Sequence, residues 1–443
     1  MTTLPLLPAN AADLIVAIHK GRTVDRATFL RDVLAVAESL PAGRPLLNLC
    51  QDRYLFAVAL FAAICKGSLS LLPNAVTRET MFALQAREPE LLCLSDQAEA
   101  PFDLPMLAVK VAEQAASVQP DTPQIPADQL VACVFTSGST GVPQPYFKHF
   151  GTLVSTSEIE AERLWSVKGA PCTVLGTVPF QHMYGLESTV LLPLLGSGVL
   201  FDQRPFYPAD VAAALAAMPL PRLLVTTPFH LRTLLDAQVE MPPITVILSA
   251  TAPLPRELAA EAEARLGAPV LEIYGSTETG QIATRQMMRS EAWELFTGVN
   301  LAQQDGVCYA SGGPVPQRQA LSDVLELLDD RRFHLLGRGA DMINIAGKRN
   351  SLAFLNNVIL RLPGVQDAVF CLPEEGDAPR LAAFVVAPGV SAQDILRGLR
   401  DYVDPVFLPR PIVFIDSLPR NPTGKVLATT VEALIATHLR GRA

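Results

Sequence analysis

No uninterrupted apolar run in this 443-residue chain reaches the ~18 residues needed to cross a bilayer. The longest, Tyr54–Cys65, lies between Arg53 and Lys66 and reads as a buried helix, so no membrane span is expected. No basic block interrupts a net charge of −9, so nucleic-acid binding lacks its electrostatic footprint. No C-x-x-C pair occurs among the seven cysteines (50, 65, 93, 133, 172, 308 and 371). Their scatter and odd number argue against a disulfide framework or zinc site and suit a reducing cytoplasm. The opening MTTLPLLPANAADL has no basic leader before a long apolar segment, so no signal peptide is expected. Internal repeats and low-complexity tails are lacking too, and the 37 prolines are dispersed, mostly at loop ends. What remains as a ligand is a small molecule or a carrier protein.

The chain is rich in material for a core, with 49% hydrophobic residues, enough for two or three domains. Short apolar runs with β-branched residues recur at Pro45–Cys50, Val131–Thr136, Thr173–Pro179, Arg222–Pro228 and Ile244–Ala250. Helix-period stretches such as Ala209–Met218 and Pro255–Gly267 lie between several of them. This alternation predicts an α/β fold of layered, mostly parallel sheets covered by helices. After about Gly337 the texture changes. Three strand-like segments, GVQDAVFCLPEE, PRLAAFVVAPG and RPIVFIDSLP, and a helix in SAQDILRGLRDYV predict a small α+β domain.

Four stretches hold residues suited to chemistry. Thr136-Ser137-Gly138-Ser139-Thr140-Gly141 follows an apolar strand, and its hydroxyls and glycine amides suit phosphate oxygens. It lacks the G-x-x-x-x-G-K-[ST] spacing of a Walker loop, and a Ser/Thr/Gly cluster is also an ordinary turn. Tyr274–Gly280, YGSTETG, combines an aromatic ring, a glycine turn, hydroxyls and a carboxylate. It is either a nucleotide loop, with Glu278 holding Mg2+, or a strand-end turn with a solvated glutamate. Gly337–Arg349 sets Arg338 and Asp341 among small residues, as a ligand-facing junction or an interdomain loop. Leu418–Val426 carries Lys425 after Thr-Gly on a loop, where a lysine is commonly just solvated.

Taken in order, these stretches resemble the signature set of the acyl-adenylate-forming superfamily, from about Pro45 onward. The family's T-S-G-[ST]-T-G-x-P-K loop is matched by Thr136–Pro143 up to the final lysine, which is Gln144 here. Its Y-G-x-T-E block is matched at Tyr274–Glu278, and Asp323 in LSD stands at the family's spacing before Gly337. G-R-x-x-D matches Gly337–Asp341, and P-x-x-x-x-G-K matches Pro419–Lys425. The resemblance implies an N-terminal AMP-binding domain, 1–339, and a mobile C-terminal domain, 340–443, carrying Lys425 and hinged at Ala340. It implies that Thr136, Ser137, Gly138, Ser139, Thr140 and Gly141 hold the β- and γ-phosphates. Thr277 would bond the AMP phosphate, Glu278 would bind Mg2+, and Asp323 and Arg338 would contact the ribose. Tyr274, with Gly275 and Ser276, would border the adenine. Lys425 would supply the catalytic cation, one well-placed donor contributing roughly 2.7–4 kcal/mol to a transition state.

Three departures from the family pattern stand out. Gln144 replaces the loop lysine, and Lys148, four residues on, either reaches the γ-phosphate in its stead or faces solvent; the second is the expectation, so that Lys148→Ala weakens ATP binding only mildly. Ala340 takes the hinge position, usually Asp or Lys. NSLAFLNNVI replaces the acidic helix that follows G-x-R. The second half-reaction is therefore less securely implied than the first.

Val178–Glu187, VPFQHMYGLE, resembles the family's P-x-F-H-x-x-G block, with His182, Tyr184 and Gly185 most like coumarate- and luciferin-type members. His182 belongs to the expected catalytic set with Lys425, Glu278 and Thr277, with a packed core histidine as the alternative. LSATAPLP, Leu248–Pro255, resembles S-G-A-A-P-L and sets Ala250, Thr251 and Ala252 at the acyl pocket. None of these residues anchors an amine, so an aryl or medium-chain carboxylic acid is expected rather than an amino acid. The compact length, PQPYFK and IAGKRNSL look like the stand-alone AMP-ligases of aryl-polyene and xanthomonadin-type pigment clusters. That resemblance implies ATP and Mg2+, a hydroxybenzoate- or cinnamate-like acid, and a phosphopantetheine thiol of an acyl carrier protein or coenzyme A. A degenerate nucleotide-binding sensor without turnover is the contrasting class.

Overall fold

The computed structural model describes residues 2–10, 13–73, 76–99, 104–112, 120–137, 143–167, 169–338, 342–345, 348–373, 380–420 and 426–439, without the side chains at 79, 136, 137, 143, 338, 342, 344, 349 and 357. Two large sheets dominate. In the smaller, of six strands, Leu46–Asn48, Ser70–Leu72, Leu92–Ser95 and Met106–Ala108 run parallel with Leu130–Ser137. Pro143–His149 closes one edge, antiparallel to Leu130–Ser137.

The larger sheet has eleven strands and changes character midway. Ile15–His19, Val199–Phe201, Thr173–Gly176, Arg222–Thr226, Val246–Ser249 and Val270–Ser276 form a parallel run. Their largely apolar, mostly buried sequences suit strands covered on both faces. Beyond Val270–Ser276 the sheet continues antiparallel through Gly280–Arg285, Trp293–Leu295, Arg332–Arg338 and Asp323–Leu327. At the turning point Glu272 and Arg285 are cross-strand partners joined by a 2.7 Å ion pair, and the guanidinium lies 4.4 Å from the centre of the Trp293 ring.

The Arg53–Cys65 helix is apolar all round and buried, as its sequence predicts. Asp52 caps it, accepting from the Leu55 N–H. Buried Arg53 donates to the Gly176 and Phe201 carbonyls at 2.8 and 2.9 Å, binding this helix to two strands of the larger sheet. The predicted helices appear as Pro208–Ala217 and Arg256–Leu266, the latter ended by Gly267 at φ +67°.

The C-terminal strands appear at Asp367–Cys371, Ala382–Val386 and Ile412–Phe414, with the helix at Ala392–Leu399. NSLAFLNNVI, although stripped of the acidic pattern, still forms a helix at Leu352–Ile359 because Ser351 caps it. No helix of the described residues is long and apolar enough to cross a membrane.

Candidate active site

Several of the expected site residues lie where the parallel strands of the larger sheet end, the edge at which open α/β sheets present their ligand loops. The loop after Thr173–Gly176 leads to His182, Tyr184 and Gly185. The loop after Val246–Ser249 carries Ala250, Thr251 and Ala252. Val270–Ser276 and Gly280–Arg285 form a hairpin in which Ser276 faces Gly280, so Thr277, Glu278 and Thr279 are its tip. The tip is closed internally: the Ser276 N–H donates to Thr279 Oγ1 at 3.1 Å, and the Thr279 N–H donates to Ser276 Oγ at 3.2 Å.

A cavity of about 170 Å³ lies beside this tip, lined among others by Tyr146, Tyr274, Ser276, Glu278 and Asp323. Tyr274 packs its ring against Trp293 and Phe333, and its hydroxyl donates to Asp323 Oδ2 at 2.9 Å. Asp323 and Arg338 are Cα partners across an antiparallel pair, so LSD and the G-R block meet at one point. Gly337, at φ +136°, has no room for a side chain: a Cβ would lie 2.2 Å from Ser351 Oγ.

Glu278 is tuned to stay ionised. Burial acts to raise its carboxyl, but bonds from the Ser276 hydroxyl, its own backbone N–H and the Tyr146 hydroxyl, with the Lys148 charge, outweigh it and hold the carboxyl below its ordinary value. An ionised oxygen donor beside a polar cavity suits a hard cation such as Mg2+.

Lys148 overturns the expectation of a solvent-facing side chain. It is only 5% exposed, and its ammonium donates to the carbonyls of Thr277 and of Glu278. Alternation along Pro143–His149 puts neighbours on opposite faces, and here apolar Phe147 is the outward one, 45% exposed. Burial lowers its pKa, while buried Glu187 and the more exposed Glu278 both attract the ammonium. Gln144, the residue in place of the loop lysine, is exposed.

On the acyl side, His182 stands at the N-cap position of the short Met183–Leu186 helix, without a side-chain capping bond, and is half-buried. The Tyr184 hydroxyl lies 3.1 Å from the Thr226 carbonyl and 3.0 Å from the Leu248 carbonyl, tying two parallel strand ends together. Gly185 is required by proximity, since a Cβ there would lie 2.0 Å from the Pro179 oxygen. Thr251 adopts φ +78°, a conformation that a β-branched residue holds only under constraint.

Gly138, Ser139, Thr140, Gly141, Ala340, Asp341 and Lys425 lie outside the described residues, as do the side chains of Thr136, Ser137 and Arg338. Sequence reasoning missed Tyr146, Glu187 and Glu160. Tyr146 carries no local signal. Glu187 sits in the largely apolar stretch YGLESTVLLPLL, and a charge so placed marks a buried partner, whereas Glu160 lies in the polar STSEIEAERLW and carries no such signal.

Known proteins fit this arrangement. The sequence model described as AMP-binding enzyme matches residues 44–318, and that of the AMP-binding enzyme C-terminal domain matches 355–425. The chain is 32% identical over 251 residues to a 4-coumarate–CoA ligase of Rhodobacter capsulatus, a match covering 57% of this chain and 62% of that protein. It is 26% identical to the p-hydroxybenzoic acid–AMP ligase FadD22 of Mycobacterium tuberculosis, over 94% of this chain and 65% of that one. The match thus spans less than two thirds of either relative's length. The fold is that of o-succinylbenzoate CoA synthetase from Bacillus subtilis, solved with its acyl-adenylate intermediate, with a TM-score of 0.82 at 21% identity over 98% of this chain and 99% of that one. With both family models matched in order and the hairpin tip, Asp323 and Tyr274 around one cavity, the chain belongs to the family of AMP-binding enzymes.

Proposed function

We propose that the chain condenses a carboxylic acid with ATP to an acyl-adenylate, releasing pyrophosphate, and then passes the acyl group to a phosphopantetheine thiol of coenzyme A or an acyl carrier protein. The observation that carries this reading is the one cavity shared by Tyr274, Ser276, Glu278 and Asp323, which come from two separate motifs. In the first step a carboxylate oxygen attacks the α-phosphorus as the bond to pyrophosphate breaks. Such a displacement needs positioning and charge neutralisation more than covalent help.

The residues divide that work. Asp323, oriented by Tyr274, accepts from ribose hydroxyls with Arg338 beside it. Thr277 donates to the α-phosphate, and Thr136–Gly141 wraps the leaving phosphates. Glu278 would hold Mg2+ as an oxygen ligand, and the ion would neutralise phosphate charge there. Lys425, carried by a C-terminal domain of residues 340–443 against an N-terminal domain of 1–339, supplies the final cation. In the second step the thiol sulfur attacks the acyl carbon, AMP leaves, and the thiol proton is released.

The acid in this reading is aryl, of the hydroxybenzoate or cinnamate kind, as in aryl-polyene-type AMP-ligases. Small Ala250 and Ala252 on the loop after Val246–Ser249 support it, as do the substrates named for the two relatives. Pyrophosphate release with ATP and Mg2+ across benzoates, cinnamates, fatty acids and amino acids tests it, with Lys425→Ala as control. Release with aryl acids, lost in the control, is the expected result. Nucleotide binding without release with any acid overturns the reading in favour of a sensor.

A further inference from the structure

The hairpin tip that bears Thr277 and Glu278 is gripped from beneath by residues the reaction itself does not use. Lys148 reaches the carbonyls of both tip residues. Glu187 accepts from the backbone N–H of Gln281, just past the tip. It lies so close to Gly280 that a Cβ there would meet its Oε1 at 2.8 Å. Behind it, Gln281 Nε2 donates to Ser188 Oγ at 2.8 Å, and the Ser188 hydroxyl donates to Glu160 Oε1 at 2.7 Å. Lys148, Glu187 and Glu160 come from a strand of the smaller sheet and from two different helical segments, yet all three are buried.

We propose that Lys148 is a positioning residue for adenylation: it fixes the carbonyls of Thr277 and Glu278, and so the direction in which the Glu278 side chain faces the cavity, with Glu187 as its internal counter-charge. This rests on the acyl-adenylation reading above. A tip of this kind has no ladder partner for its carbonyls, so its orientation is set by whatever they bond. A buried ammonium is costly unless paired, and bonds to two carbonyls plus an opposing carboxylate offset that cost. The cation lost from the phosphate loop at Gln144 is thus not restored to the phosphates. A different cation acts one layer below, on the backbone of the residues that meet them.

The test compares wild type with Lys148→Met, which keeps the stem and removes the charge, and with Lys148→Arg, which restores charge. Hydrogen exchange over residues 274–281 is expected to quicken in Lys148→Met while the Phe150–Trp165 helix stays protected. The KM for MgATP is expected to rise about tenfold, the loss of a charge-assisted bond, while the KM for the acid changes by less than about twofold. Lys148→Arg is expected to recover most of the MgATP effect. Unchanged exchange at the tip, or equal movement of both KM values with no rescue, would overturn the proposal. Should Lys148→Met fail to fold, Glu187→Gln is read in the same way and with the same expected sign. If wild type releases no pyrophosphate with any acid, the ligase reading fails, and exchange at 274–281 still decides whether Lys148 holds the tip.

Discussion

The Tyr274 hydroxyl and the Asp323 carboxylate meet at 2.9 Å although 49 residues separate them in the chain. That bond joins the two motifs assigned to the base and the ribose. Tyr274→Phe keeps the ring packed against Trp293 and Phe333 and removes only the donor. The KM for ATP is expected to rise roughly tenfold, as for other bonds to a charged group, with melting temperature nearly unchanged. Exchange of labelled pyrophosphate into ATP measures it, and an unaltered KM refutes the assignment.

Tyr146→Phe addresses Glu278. The lost hydroxyl is one of the groups that hold this carboxyl below its ordinary value, so its removal raises the pKa. A carboxylate needed in its ionised form is then protonated earlier as pH falls. The acid limb of the rate profile is expected to move upward, and half-saturation by Mg2+ is expected to require more metal below neutral pH. Profiles of kcat/KM with pH at fixed Mg2+ read both effects.

Glu160 gives a stability prediction. Burial pushes its carboxyl up to about 8, so the folded chain keeps a proton that the unfolded chain loses at lower pH. The folded state binds more protons between the two values, and stability therefore falls as pH rises through that window. Glu160→Gln is expected to flatten this decline and to melt above wild type at pH 8.5, with little gain at pH 5. Thermal melts of both proteins across pH check it.

Much of this architecture was legible because the responsible forces are local. Val246–Ser249 reads as a strand from its apolar, β-branched run, and Arg256–Leu266 reads as a helix up to the glycine that ends it. The tip at Thr277 and Glu278 and the pairing of Asp323 with Arg338 were visible as motifs. The direction of Lys148 was not. Its burial depends on Glu187 and on carbonyls more than a hundred residues away, and nothing in PYFKHF reveals them. Tyr146 escaped for the same reason: its partner Glu278 lies on a different sheet.

Gly185→Ala tests the acyl side. The added carbon has nowhere to go, because the obstacle is the Pro179 backbone rather than a flexible side chain. A loss of stability of about 1–3 kcal/mol is expected from the forced shift, together with weakened acid binding through displacement of His182. Denaturant unfolding and the KM for the preferred acid give the two readouts. A variant as stable and as active as wild type would show that this turn is not held as described.

The larger sheet changes from parallel to antiparallel at Val270–Ser276, and that change splits the active site by ancestry of contact. On the proposed function, the residues assigned to the acid, His182 and Ala250, hang from crossover loops, whereas those assigned to the nucleotide, Thr277, Glu278 and Asp323, hang from hairpins. Crossover loops tolerate insertion and substitution without disturbing their neighbours' register; hairpins do not, since a one-residue slip reverses every side chain. Such a chassis lets the choice of acid drift while the handling of ATP stays fixed.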